Sequence, residues 1–320
     1  METKPAGRPI WPIDILLTAH PAVAYYTRRC LLDEDIPPEP LWELQDAQKL
    51  LKRQLPDGSW PHGSQNTKNR ENYYLLETYN RLRFLIEVYH MDMKHPAVQK
   101  AAAYIFSRQT GEGDIRGIFG SQYAPHYTAG MIELLQKAGY RDGRIDKALQ
   151  WFLDTRQEDG GWAWPLRTAR VRYADAIEMN DPVKTDKSKP FSHCLTGFVL
   201  RAFAVHPAYK TDERIVHAGA LLVSRFFEKD TYQDRRDEKY WTSFTFPYWF
   251  TDLLSALDTL HRLGFTIDTP NIQRAFQWLK DRQQPDGLFD VKLLRPGHLP
   301  QPRHFITAAI LKQYRQYTLI

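Results

Sequence analysis

An all-α repeat fold is what this 320-residue sequence predicts, on three observations. A motif Gln-x-x-Asp-Gly-x-aromatic stands at Gln54-Leu55-Pro56-Asp57-Gly58-Ser59-Trp60 and again, position for position, at Gln283-Gln284-Pro285-Asp286-Gly287-Leu288-Phe289. A looser copy, Gln109-Thr110-Gly111-Glu112-Gly113-Asp114-Ile115, ends on an aliphatic residue, and a shortened one runs Gln157-Glu158-Asp159-Gly160-Gly161-Trp162. Each copy follows a segment that reads as a helix, at 41–55, 96–108, 145–156 and 271–282. The copies recur at roughly 50 residues, the mark of an architecture in which each unit buries its apolar face against its neighbours.

Asp-Gly is turn chemistry, because Gly supplies positive φ and the Asp side chain bonds nearby amides, so a helix stops there. The Gln before the turn can bond chain ends that the helix leaves unpaired, and the aromatic can fold back over it. On this chemistry the motifs are structural staples. In the copy at Trp162, either Arg156 takes the Gln position or the turn is tighter. The pattern resembles the repeat of squalene and oxidosqualene cyclases, which the β subunits of protein prenyltransferases share in weaker form, and the resemblance runs from about Leu41 to Phe289. It implies an α/α toroid, with five to six inner helices around a central cavity and five to six outer helices around them.

In chain order, residues 1–10 form a polar tail and 11–320 a single toroid domain. Residues 11–32 read as helical, interrupted or kinked at Pro21, and 41–55 as the first outer helix. Then come inner 72–90, outer 96–108, inner 123–138 and outer 145–156. Residues 163–189 form a long polar connection without helical period, which in a compact domain is more often functional than idle. Inner 191–205, outer 212–227, inner 246–263, outer 271–282 and inner 303–317 complete the count, with a charged loop at 228–240 in place of an Asp-Gly turn.

Composition narrows the function. Aromatic residues make up 13% of the chain, with nine Trp and seventeen Tyr, which suits helix packing and an aromatic-lined cavity alike. The formal charge of +5 is spread among acidic residues without a basic stripe, which argues against nucleic acid as a partner. Cys30 and Cys194 give no disulfide framework, and the apolar run at 10–17 is too short for a signal peptide, so the expected location is a reducing cytoplasm. No apolar run approaches membrane-spanning length, and a ring that handles lipids would touch a bilayer only peripherally.

If inner and outer helices alternate, several inner-helix N-termini open on one face, and their partial positive charges favour an anion there. Glu71, Asn72, Tyr73, His126, Tyr127, Ser192, His193, Cys194, Trp241, Phe244, Tyr248, Trp249, Asp252, Arg303 and His304 are expected at that mouth. Of these, Tyr73, His126, Tyr127, Trp241, Phe244, Tyr248, Trp249, Arg303 and His304 are the expected ligand-binding residues. Ser192-His193-Cys194-Leu195-Thr196-Gly197 looks like the run that carries the zinc-binding His in prenyltransferase β subunits, which makes His193 and Cys194 candidate zinc ligands; an Asp-x-Cys counterpart is missing. Cyclases that protonate their substrate use the middle Asp of an Asp-x-Asp-Asp motif, also missing here. Asp175, whose loop leads to Ser192–Cys194, is the candidate acid, with His193 beside it as a second catalytic candidate. The resemblance thus implies a cyclase-like or prenyltransferase-like protein with an isoprenoid in a central cavity. The alternatives are a non-catalytic isoprenoid-binding or scaffold ring and a carbohydrate-active α/α barrel, and no partner subunit is readable from the residues.

Overall fold

The computed structural model describes residues 8–62, 70–232, 237–294 and 297–317, and of residues 70–72 the backbone only. The expected tail lies mostly outside the described residues, as do the side chains of Glu71 and Asn72. The fold is all-α, and eleven helices of seven residues or more carry it among the described residues. They are α1 (Pro21–Leu31), α2 (Gln45–Leu51), α3 (Arg70–Glu87), α4 (Pro96–Phe106), α5 (Pro125–Lys137), α6 (Gly143–Asp154), α7 (His193–Ala204), α8 (Glu213–Ser224), α9 (Leu253–Arg262), α10 (Pro270–Lys280) and α11 (Pro302–Gln316). A two-residue parallel pairing of Ser243–Phe244 with Lys292–Leu293 is the one sheet among the described residues. No helix of the described residues is long and apolar enough to cross a membrane.

Local chemistry sets where the helices start. Pro occupies the first turn of α1, α4, α5, α10 and α11, where its missing N–H costs nothing. Asp142, Ser192 and Asp212 cap α6, α7 and α8 through side-chain oxygens, and Asp252 with Ser255 forms a capping box on α9. That box corrects one expectation: α9 begins at Leu253, so Phe246–Phe250 are not helical. The expected helix at 41–55 is likewise two pieces, Glu39–Trp42 and α2, and of the interruption or kink expected at Pro21 the structure has the interruption. The connection 163–189 contains two single-turn helices, Pro165–Thr168 and Tyr173–Ala176.

Odd-numbered helices pack on one another in cyclic order. α3 lies against α5, α5 against α7, α7 against α9, α9 against α11 and α11 against α1. The circuit closes where His90, just past α3, meets the rings of Tyr25 and Tyr26 on α1 at 4.9 and 6.1 Å. The even-numbered helices pack on the outside of their neighbours, as in α4 on α3, α6 on α5 and α8 on α7 and α9.

The recurrent turns fasten these layers, the first two by the same pair of bonds and the others by variants of it. Gln54 Nε2 donates to Gly58 O at 3.0 Å within its turn and to Ala97 O at 2.8 Å, at the second residue of the next outer helix. Gln109 repeats this with Gly113 O and Arg144 O, at 2.9 and 2.8 Å. Counted back from the turn glycine, Arg156 occupies the Gln position of the shortened copy, and it donates to Arg214 O at 3.3 Å, again the second residue of the next outer helix. Gln157 is thereby released to bind the long connection, donating to Asp186 O and Lys189 O at 2.8 and 2.9 Å. In the last copy Gln283 grips the start of the chain, donating to Ile10 O and accepting from Ile10 N. Gly58 fits only as glycine: its φ is +90°, and a Cβ would sit 2.2 Å from Lys100 O.

Each turn also reaches inward. The backbone N–H at Trp60, Ile115, Trp162 and Phe289 donates to a threonine hydroxyl of the following inner helix, Thr78, Thr128, Thr196 and Thr307, at 2.9 to 3.1 Å. Trp60 and Trp162 fold back so that Nε1 donates to the carbonyl ten residues earlier, Leu50 and Phe152. One turn therefore joins two outer helices and one inner helix.

Candidate functional site

At the N-terminal ends of α5 and α7 the ring opens into a cavity of about 380 Å³. Phe119 precedes α5, His126 is the second residue of α5, Cys194 and Phe198 lie one turn apart on α7, and Phe250 precedes α9. The remaining wall is the long connection, which supplies Trp164, Leu166, Arg167, Val171 and Tyr173. Hydrogen bonds hold that connection in place: Gln122 Nε2 donates to Ala176 O at 2.8 Å, Gln122 Oε1 accepts from Val183 N, and Gln157 holds Asp186 and Lys189. Arg167 is the only charged residue lining the cavity among the described residues. Trp164 Nε1 donates to His126 Nδ1 at 3.4 Å, which leaves the proton of a neutral His126 on Nε2.

Beneath the aromatic walls the ring centre is ionic. Arg201 lies under Phe198, 4.8 Å from its ring, and donates to Glu133 Oε2 at 2.9 Å and to the carbonyls of Trp249 and Phe250 at 3.3 Å. Glu133 also takes Lys137, which bridges to Glu87, so the carboxyl of Glu133 is held below its ordinary value by Arg201 and Lys137 despite its burial. At the far end Asp258 binds Lys312 and Arg262, and those cations hold its carboxyl well below the usual range.

The expected residues divide between these regions. His126 and Cys194 line the mouth cavity, and Tyr127 packs against His126 and Phe119 just behind it. Trp249 stands behind Tyr127, at 5.9 Å, and Tyr73 is exposed and stacked on His62. Arg303 is exposed and paired with Asp286 at 3.3 Å, with His304 half-buried next to it. Three expected mouth residues lie elsewhere, Phe244 and Tyr248 because residues 244–250 are not a helix and Trp241 because it sits in the short helical turn Glu238–Thr242. Phe244 faces outward onto Trp278, Tyr248 faces the opposite end of the ring with its hydroxyl unpartnered, and Trp241 is buried beneath His193.

The candidate catalytic and zinc residues do not assemble. Asp175 is exposed and forked by Arg172 at 2.8 Å through both oxygens, and that bond lowers its pKa. Asp175 is not among the residues that line the cavity, and its Arg172 partner favours the ionised form over the protonated form an acid needs. His193 does not line the cavity: it packs on Trp241 with ring centroids 4.6 Å apart, Nε2 lies 3.7 Å from Asp230, and burial pushes its pKa down to about 4. Asp230 is instead a clamp on the start of α7, accepting from Ser192 Oγ and Cys194 N at 2.7 and 2.9 Å. Among the described residues no three His, Cys, Asp or Glu gather to hold a metal. Asp252 has a carboxyl raised to about 6 by burial, yet both its oxygens accept backbone N–H groups, from Thr245 and Ser255.

Phe119, Tyr123, Trp164, Tyr173 and Phe198 line the cavity and were not singled out in the sequence as site residues. Phe198 was findable, since it stands four residues after Cys194 and so shares its helix face. Trp164 follows the motif aromatic by two residues, and nothing in the sequence marks Phe119 or Tyr173.

Comparison with known proteins gives the ancestry. The squalene-hopene cyclase C-terminal domain model matches residues 129–291. No curated protein matches the sequence. Among solved structures, a variant of the type II terpene cyclase MstE from Scytonema, in complex with geranylgeranyl dihydroxybenzoate, is 12% identical with a TM-score of 0.40, over 92% of this chain and 99% of that one. A second MstE variant, in complex with merosterolic acid A, is 12% identical with a TM-score of 0.34, over 91% and 98%. A protein from Actinoplanes is 13% identical with a TM-score of 0.30, over 88% and 100%. On the match of its residues 129–291, this chain belongs to the squalene-hopene cyclase C-terminal domain family.

Proposed function

We propose that this protein binds an apolar, isoprenoid-type molecule in the mouth cavity and holds it without protonating it. The observation that carries this reading is the lining itself: six aromatic rings from Phe119, Tyr123, Trp164, Tyr173, Phe198 and Phe250, and no carboxylate among the described lining residues. Aromatic faces supply dispersion and shape to a branched hydrocarbon, whereas initiating a cyclisation needs a protonated acid against the alkene. A volume of about 380 Å³ is at the lower end of the roughly 300–1,000 Å³ of small-molecule sites, which favours a ligand of geranylgeraniol size over one of squalene size.

Quenching of tryptophan fluorescence by geranylgeraniol tests this, with mass spectrometry of the same incubation. The expected result is saturable binding, about tenfold or more weaker in Trp164→Ala, with the ligand recovered unchanged. No saturable binding, or a cyclised product from the unaltered chain, would overturn the reading.

A further inference from the structure

A second cavity, of about 260 Å³, lies between α3, residues 245–249 and Gly297–His298. Trp249 lines it, and the same ring meets Tyr127, which packs on Phe119 and His126 of the aromatic cavity. The two cavities thus stand back to back across the Trp249–Tyr127 pair. Their chemistry differs sharply.

Arg83 is buried against this second cavity, 7% exposed, with its guanidinium 4.5 Å from the centre of the Trp249 ring. Its hydrogen-bond acceptors are backbone carbonyls, Tyr248 O at 3.1 Å and Pro247 O. Burial lowers its pKa to about 10, so it is charged at neutral pH. Arg81 lines the same cavity, paired with Glu77 and with Nη1 2.8 Å from His298 Nε2. Glu77 is thus one carboxylate against two guanidiniums. The other carboxylates whose field reaches Arg83, Glu87 and Glu133, are already bonded to Lys137 and Arg201. A buried charge is costly without a counter-charge, and a guanidinium fork matches the paired oxygens of a phosphate.

We infer that this cavity is an oxyanion subsite, taking a phosphate or diphosphate group on Arg83 and Arg81 with Asn80 and His298 at its edge. The group is either the head of the molecule held in the aromatic cavity, in which case the assignment rests on the apolar reading above, or a free anion.

Isothermal titration of the full chain with inorganic pyrophosphate, geranylgeranyl diphosphate and geranylgeraniol separates these cases. Pyrophosphate should bind once per chain, and about tenfold or more weaker in Arg83→Gln. Arg83 also holds backbone carbonyls, so Arg81→Gln, at a more accessible position, carries the same expectation if the first variant fails to fold. Geranylgeranyl diphosphate binding more tightly than either of its parts supports the subsite as a head-group site. Equal affinity for pyrophosphate and geranylgeranyl diphosphate supports it as a site for a free anion. A chain that takes geranylgeraniol but neither anion overturns the subsite and leaves the apolar reading standing, and one that binds none of the three sinks both. Pyrophosphate binding unchanged in folded Arg83→Gln and Arg81→Gln also overturns it.

Discussion

The backbone N–H of Trp162 reaches the hydroxyl of Thr196 at 2.9 Å in a fully buried setting. Thr196→Val keeps the shape and strands that donor, so denaturant unfolding should show a loss of about 1–3 kcal/mol; an unchanged stability would mean that the turn does not need its inner-helix anchor. Asp252 gives a pH-dependent test. Burial raises its carboxyl from 3.8 to about 6, so the folded chain binds this proton more tightly than the unfolded chain. The resulting stability is fully present below the unfolded value and is lost as pH rises through about 6. The unfolding free energy of wild type should therefore fall relative to that of Asp252→Asn by up to about 3 kcal/mol between roughly pH 4 and pH 7, and a relative rise would contradict this. At this scale the sequence is a partial guide. The turn residues Gln54, Asp57 and Gly58 announce themselves because their chemistry is local, whereas Thr78, Thr128, Thr196 and Thr307 stand at unequal distances from their turns. Asp175 and Asp252 cannot be told apart as letters, since what separates them is exposure and an Arg172 partner.

Helices declare themselves through apolar spacing, and the eleven helices fall where that spacing places them. Their ends were less legible, because a cap such as Asp252 or a break at Pro21 competes with a periodic pattern that runs straight through it. Close packing between helices is less legible still. Gly130 on α5 faces Tyr79 on α3, and a Cβ there would sit 2.3 Å from the Tyr79 hydroxyl oxygen and 2.7 Å from Cζ. Helix propensity favours Gly130→Ala by about 1 kcal/mol. Tyr79 is 1% exposed and has no room to withdraw, so overpacking of about 1–3 kcal/mol should win and the variant should unfold more easily in urea. Gly143→Ala, at the start of α6 with open space around it, is the control that should cost nothing measurable.

As a whole the molecule is a circuit of inner helices with an aromatic mouth, an ionic centre and Ile10 gripped by the last turn. Asp258 ties α9 to α11 at the far end through Lys312, at 2.7 Å, and bonds Arg262 of its own helix at 3.0 Å. Removing that charge leaves two half-buried cations without their shared partner, so Asp258→Asn should destabilise by about 1–3 kcal/mol in chemical denaturation, and an unchanged stability would show the cluster to be incidental. The ring was legible in the sequence because the repeat that builds it is regular. The cavity was legible only at His126 and Cys194 on helices, since its remaining wall comes from a connection whose path depends on long-range bonds from Gln122 and Gln157. The most direct test of an apolar ligand cavity is a crystal structure of the chain soaked with geranylgeraniol. The ligand is expected between Phe119, Trp164, Phe198 and Phe250 with no contact to a carboxylate; an empty cavity at saturating ligand, or a ligand bound only outside it, would contradict the account.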